Sequence, residues 1–178
     1  MRRFSRAINF LRLMFTTPRH RKNVWKSRKV LHQVREISKQ SGKFALPKVL
    51  NYLRQVDPYV LEETILSAFE DRDLLVWRGL RYSGDGGFDG KVRYKGQWYP
   101  IQVKRYAGYV SAEHVKNFSN QLLRLNAKGF FIHTGKTGGM SWENAPQKTA
   151  KIISGKMLMT LLGCDMGNAE APPIKPRN

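Results

Sequence analysis

Residues 84–104 read GDGGFDGKVRYKGQWYPIQVK, and they restrict the fold more than any other part of the chain. Two apolar–polar alternations, Phe88 to Tyr94 and Trp98 to Tyr106, flank Lys95-Gly96, so the spacing predicts a hairpin. Ahead of it stand two aspartates among four glycines. Glycine lets the backbone turn sharply there, which brings Asp89, at the start of the first strand, to the face of the second. Gln102 and Lys104 are two residues apart and leave that same face. The pattern therefore predicts a carboxylate, an amide oxygen and an ammonium pointing into one place.

Around this hairpin the periodicity changes twice. Phe4 to Phe15 carries apolar residues at helical spacing and stops at Thr16-Thr17-Pro18. Trp25 to Lys39 predicts a second helix, with Val30, Leu31, Val34 and Ile37 on one side and Ser41-Gly42 ending it. Pro47 is expected to open a third. Asp57-Pro58 opens a fourth, with Asp57 as cap and Leu61, Ile65, Leu66, Ala68 and Phe69 as its core face. LLVWRGLRY then reads as a strand ahead of the hairpin. Beyond the hairpin, Ala112 to Asn126 is helical in spacing and GFFIHT is a buried strand. Trp142 to about Lys151 reads as a helix broken by Pro146, KIISG as a short strand and KMLMTLLG as a closing helix. The order predicts a mixed α/β fold with helices on a small sheet.

Charge is unevenly placed. Residues 1–50 hold 14 Lys and Arg against one acid, Glu36, a net of +13, and the remainder holds 18 against 12, a net of +6, which together make the +19 of the chain. Such a balance predicts a polyanionic partner, nucleic acid before an anionic membrane surface. The single cysteine, Cys164, excludes an internal disulfide framework and a Cys/His metal cluster, and suits a reducing, cytoplasmic setting. Arg6, Asn9 and Arg12 interrupt the apolar opening, which reads as an amphipathic helix and not a signal peptide. No apolar run approaches the roughly 20 residues that span a bilayer.

The expected cluster suits one chemistry. Hard cations such as Mg²⁺ take oxygen ligands and complete their shell with water and phosphate. Such an ion activates water and stabilises the leaving oxygen of a phosphodiester. A neighbouring lysine orients the water or neutralises charge on the phosphate.

GDGGFDG, IQVKRY and GFFIHTG together resemble the Mrr-type catalytic domain of the PD-(D/E)XK nuclease superfamily, whose members carry a G-D-x-G-x-D turn, a Q-x-K or E-x-K strand and an F-I-T-T strand. The likeness covers about residues 57–163. It implies a restriction endonuclease-like core of helix, three-stranded mixed sheet, helix and strand, with a basic helical N-terminal extension. The expected division is a basic helical arm at 1–50, the nuclease domain at 51–165 and a disordered Pro-rich tail at 166–178. Carried over by position, Asp89 is the metal-binding acid, Gln102 stands where the wider superfamily has Glu or Asp, and Lys104 is the catalytic lysine. Glu62 is the supporting helical acid, with Glu63 its rival. The implied activity is metal-dependent DNA endonuclease, with Mg²⁺ (Mn²⁺ as alternative), of restriction or mobile-element DNA-processing type. No small-molecule cofactor and no membrane partner are expected, and a homodimer on DNA is.

Two departures stand out. Gln102 is neutral, which leaves a catalytically weak or inactive DNA-binding protein on a nuclease fold as the alternative. His133 stands where the family has Thr. Among the remaining candidates, Asp85 reads as a turn-former. GKTGG at 135–139 lacks the spacing of a phosphate loop. His133 reads as a packing residue, and His20, His32 and His114 show no partner pattern. Trp25, Trp77, Trp98 and Trp142 read as core or half-buried, with Trp98 and Tyr106 as candidate base-stacking rings.

Overall fold

A computed structural model describes residues 8, 9, 14, 17–79, 87–145 and 149–164. The helix expected over Phe4 to Phe15, Asp85 and the Pro-rich tail fall wholly or mostly outside them.

The basic segment forms α1, Pro18–Ser41, which starts seven residues before the expected Trp25. Thr16-Thr17-Pro18 is its start signal as well as a break: the Thr17 side chain accepts from the His20 N–H, and Pro18 takes the first turn, where no N–H partner is needed. After a 3-10 turn, Gly42–Phe44, comes α2, Ala45–Leu53. Pro47 sits within its first turn and does not open it, which costs nothing because those N–H groups have no intrahelical acceptor. Helix α3, Pro58–Glu70, begins as expected, with Asp57 accepting from the N–H groups of Tyr59 and Val60.

The sheet has five strands, one more than the implied core of three strands plus one after the helix, the fifth falling at the short strand read at KIISG: β1 Leu75–Trp77, β2 Gly90–Tyr94, β3 Gln97–Lys104, β4 Gly129–His133 and β5 Ala150–Ile153, ordered β1-β2-β3-β4-β5. The first three are antiparallel, and β3, β4 and β5 are parallel. Lys95 and Gly96 both have positive φ, 49° and 82°, the primed turn that matches strand twist. Helix α4, Ala112–Arg124, crosses from β3 to β4. Helix α5, Gly139–Glu143, is shorter than the expected one and ends before Lys151, which belongs to β5. Helix α6, Gly155–Leu161, closes the core.

Helices cover both faces of the sheet. Phe130 and Ile132 of β4 share a cluster with Leu61, Ile65 and Phe69 of α3, Leu31 and Val34 of α1, and Val49 and Leu53 of α2. Phe131 faces the other way, onto Val115, Phe118 and Leu122 of α4. The alternation along β4 thus feeds two cores from one strand. Asn9 caps the outer edge, donating to Leu74 O at 2.9 Å and accepting from Val76 N at 3.0 Å. Among the described residues no helix is long and apolar enough to cross a membrane.

Candidate active site

The hairpin brings its polar residues to one end of the sheet. Gly90 pairs with Ile101, so by register Asp89 lies opposite Gln102. Asp89 is held twice: its N–H donates to Ile101 O at 2.9 Å, and its Oδ2 accepts from Val103 N at 2.6 Å. Gly90 is glycine for a packing reason, because a Cβ there would come within 2.8 Å of Leu66 Cδ2 and 3.0 Å of Trp77 O. The start of β2 thereby lies against α3, the helix that carries Glu62.

Gln102 donates through Nε2 to Gly87 O at 2.9 Å, which fixes the amide against the glycine turn and leaves Oε1 as its accepting end. Lys104 ends β3 beside His133 of β4, and both side chains of the Gln-x-Lys pair are half-buried.

Electrostatics tie Glu62 to this group. Its pKa is pushed up to about 8, first by burial, then by the negative charges of Asp89 and Glu63, with Lys104 opposing. The Asp89 carboxyl is pushed up to about 6 by burial, against the Val103 N–H and Lys104. Two carboxyls that share one partly buried place cannot both ionise cheaply without added positive charge. The register and these electrostatics place Glu62, Asp89, Gln102 and Lys104 at one end of the sheet. Among the described residues no three His, Cys, Asp or Glu side chains gather into a metal cluster. The donor set is two carboxylates and an amide oxygen. That is a fit for Mg²⁺ or Mn²⁺, which are held by one or two carboxylates while water and phosphate fill the shell.

Glu63 turns elsewhere. It is 1% exposed, accepts from Arg78 Nε at 2.7 Å and lies 3.8 Å from His20 Nε2. Arg78 also donates to Glu70 at 2.6 Å, and Glu70 is bridged by Arg28 at 2.8 Å. Sequence reading missed this network and took Arg78 for a strand residue. The available signal was an arginine inside an apolar strand and acids seven apart on one helix face. His20 and His114 do have partners: His20 meets Thr17 Oγ1 at 3.1 Å, and His114 Nδ1 meets the Tyr106 hydroxyl.

His133 is a packing residue. It is fully buried, bonds Thr137 Oγ1 at 3.0 Å and accepts from Gly135 N at 3.2 Å, and burial lowers its pKa to about 4. The tryptophans are a correction: Trp25, Trp98 and Trp142 are 60%, 37% and 44% exposed, and only Trp77 is half-buried. Trp98 lies six residues from Lys104 along β3, about 20 Å at 3.3 Å per residue, so it does not flank the site. Tyr106, two residues beyond Lys104, does.

Helix, three antiparallel strands, crossover helix and parallel strands, with an acid pair, amide and lysine where β2 and β3 meet, make up the restriction endonuclease-like α/β class. The chain belongs to the Mrr_cat restriction endonuclease family, whose match runs over residues 53–162. It is also similar to a solved structure of the MspJI restriction endonuclease in complex with a 27-mer oligonucleotide, at 20% identity and a TM-score of 0.47, over 70% of this chain and 31% of that one. The likeness thus spans less than a third of that protein's chain. No curated protein matches the sequence.

Proposed function

We propose that this chain is a divalent-metal-dependent DNA endonuclease that hydrolyses phosphodiester bonds, serving restriction or mobile-element DNA processing in the cytoplasm. The observation that carries the reading is the convergence of Glu62, Asp89, Gln102 and Lys104 on one end of the sheet, with both carboxyl pKa values raised. A bound Mg²⁺ or Mn²⁺ would supply Lewis-acid stabilisation of the phosphate and a nucleophilic water.

The protein's own part follows from the geometry. Burial, and then the charges of Asp89 and Glu63, make Glu62 hold its proton, and burial raises the proton affinity of Asp89. A cation that displaces those protons neutralises both charges, so this pair favours binding one. The Gly87 contact aims the amide oxygen of Gln102. Lys104 brings three N–H donors, which orient a water and offset charge growing on the phosphate. Cutting both strands needs two such sites, which supports a homodimer on DNA.

One observation favours a second reading, a DNA-binding protein with little or no catalysis. Gln102 is neutral and its amide nitrogen is committed to backbone, so the donor set carries one negative charge fewer than with Glu or Asp at 102. Plasmid nicking decides between them. Mg²⁺-dependent nicking that EDTA stops and Lys104→Ala abolishes supports hydrolysis. DNA binding with no nicking in Mg²⁺ or Mn²⁺ overturns it.

A further inference from the structure

Helix α1 sorts its cations by face. Arg28 and Arg35 point toward Glu70 and Asp71, bridging them at 2.8 Å and 2.6 Å, and Lys39 pairs with Glu36 at 2.9 Å. These charges are neutralised within the fold. Arg19, Lys22, Lys26 and Lys29 follow a spacing of three, four and three residues, so they form one stripe. All four are exposed, and the stripe faces away from the buried Val24, Ser27, Leu31 and Val34. Among the described residues no carboxylate pairs with Lys22, Lys26 or Lys29. Lys29 instead lies 3.8 Å above the ring of Trp25, which is 60% exposed and holds that ammonium at the surface.

The stripe leads toward the active site. Arg19 lies over the ring of Tyr59 at 4.9 Å, and Tyr59 sits one turn before Glu62 on α3. From Arg19 to Lys29 the helix rises about 15 Å. One DNA strand carries a phosphate per about 3.4 Å of axis, so roughly four phosphates fall within reach.

We propose that this stripe is a phosphate track for duplex DNA, leading the strand past Tyr59 to the Glu62, Asp89 and Lys104 cluster. It rests on DNA being the ligand of that cluster. A lipid surface fits less well. A helix lying in a membrane interface inserts an apolar face, and the apolar face of α1 is spent on α3.

The test is fluorescence anisotropy with a short duplex over a range of KCl, using the full chain in EDTA so that no cleavage occurs. The variant replaces Lys22, Lys26 and Lys29 by Ala. A charge-matched control replaces Lys95, Lys128 and Lys156, which are also exposed, and the first two lie toward the far end of the sheet. The track predicts about tenfold or greater loss of affinity and a salt slope smaller by about 3 for the first variant only. Lys26→Glu alone should act in the same direction while the melting temperature holds. Equal affinity and slope in the wild type and the α1 variant overturn the proposal. So does loss of binding to anionic phospholipid vesicles with DNA affinity intact. Binding through the stripe in a chain that never nicks plasmid upholds the track and sinks only the hydrolytic reading.

Discussion

Two adjacent glutamates should respond oppositely to the same one-atom change. Glu63→Gln removes a buried charge whose partner, Arg78, is itself only 8% exposed. Breaking a buried pair by removing one side costs about 3 to 5 kcal/mol, and Glu70 at 2.6 Å keeps Arg78 partly compensated, so about 3 kcal/mol is expected. For a chain of this size that lowers the melting temperature by about 6 to 12 °C. Glu62→Gln removes a charge the fold disfavours. The folded pKa of Glu62, about 8, lies above its ordinary 4.5, so the associated stability is full below 4.5 and lost as pH rises through about 8. The Gln variant escapes that loss. In EDTA at pH 8.5 it should gain about 2 kcal/mol after solvent screening, and at pH 4 nothing. Urea and thermal unfolding at both pH values measure this, beside plasmid nicking. Glu62→Gln should abolish nicking while stabilising the fold, and Glu63→Gln should weaken the fold. If Glu63→Gln unfolds like the wild type, or Glu62→Gln is the destabilised one, the assignment of the two side chains is wrong.

Three further outcomes follow from the same contacts. Gly90→Ala forces a methyl group against Leu66 and the Trp77 carbonyl, so it should cost about 1 to 3 kcal/mol and slow nicking by displacing the neighbouring Asp89, read by unfolding and by initial rate. Gly129→Ala meets Pro100 O at 2.7 Å and Leu122 Cδ2 at 2.8 Å, away from the site, so it should destabilise similarly while the rate per folded molecule holds in a parallel assay. His133 has a folded pKa of about 4 against an ordinary 6.5, so its stability is full above 6.5 and lost as pH falls through about 4; His133→Phe should flatten that part of the acid unfolding curve.

What could be read without coordinates is what strand parity and chain order decide. Gln102 and Lys104 had to share a face, and the Lys95-Gly96 turn fixed the register that sets Asp89 opposite Gln102. The Asp57 cap fixed the phase of α3. Glu62 and Glu63, though, stand about 100° apart on a helix, and parity says nothing about which of two neighbours meets a given partner. That depends on Arg78, fifteen residues on from Glu63 and delivered by the edge of the sheet. The two end strands were legible as well, β1 within LLVWRGLRY and β5 at KIISG, but their bounds were not. β1 is three residues long and β5 four, too short for alternation to fix where each begins and ends. The tryptophans were misplaced because ring size favours burial on average, while Trp25 sits on the face of α1 turned away from α3.

The contrast between the two glutamates bears on function. In a chain of net charge +19, positive charge is abundant, and the fold places arginines on Glu63, Glu70 and Asp71. Against burial, Glu62 receives the opposing field of Lys104, and Asp89 that field and the Val103 N–H, too little to hold either carboxyl at its ordinary pKa. A fold selected for stability alone could neutralise this pair as it does the one next to it. Among the described residues the raised carboxyls of Glu62 and Asp89 lie where β2, β3 and α3 converge, and a divalent cation there would supply the missing sign and magnitude together. A measurement isolates this: Mg²⁺ or Mn²⁺ should raise the melting temperature of the wild type at pH 8.5, and raise it far less in Glu62→Gln or Asp89→Asn. Equal gains in all three would place the cation elsewhere and leave the raised acids without a purpose.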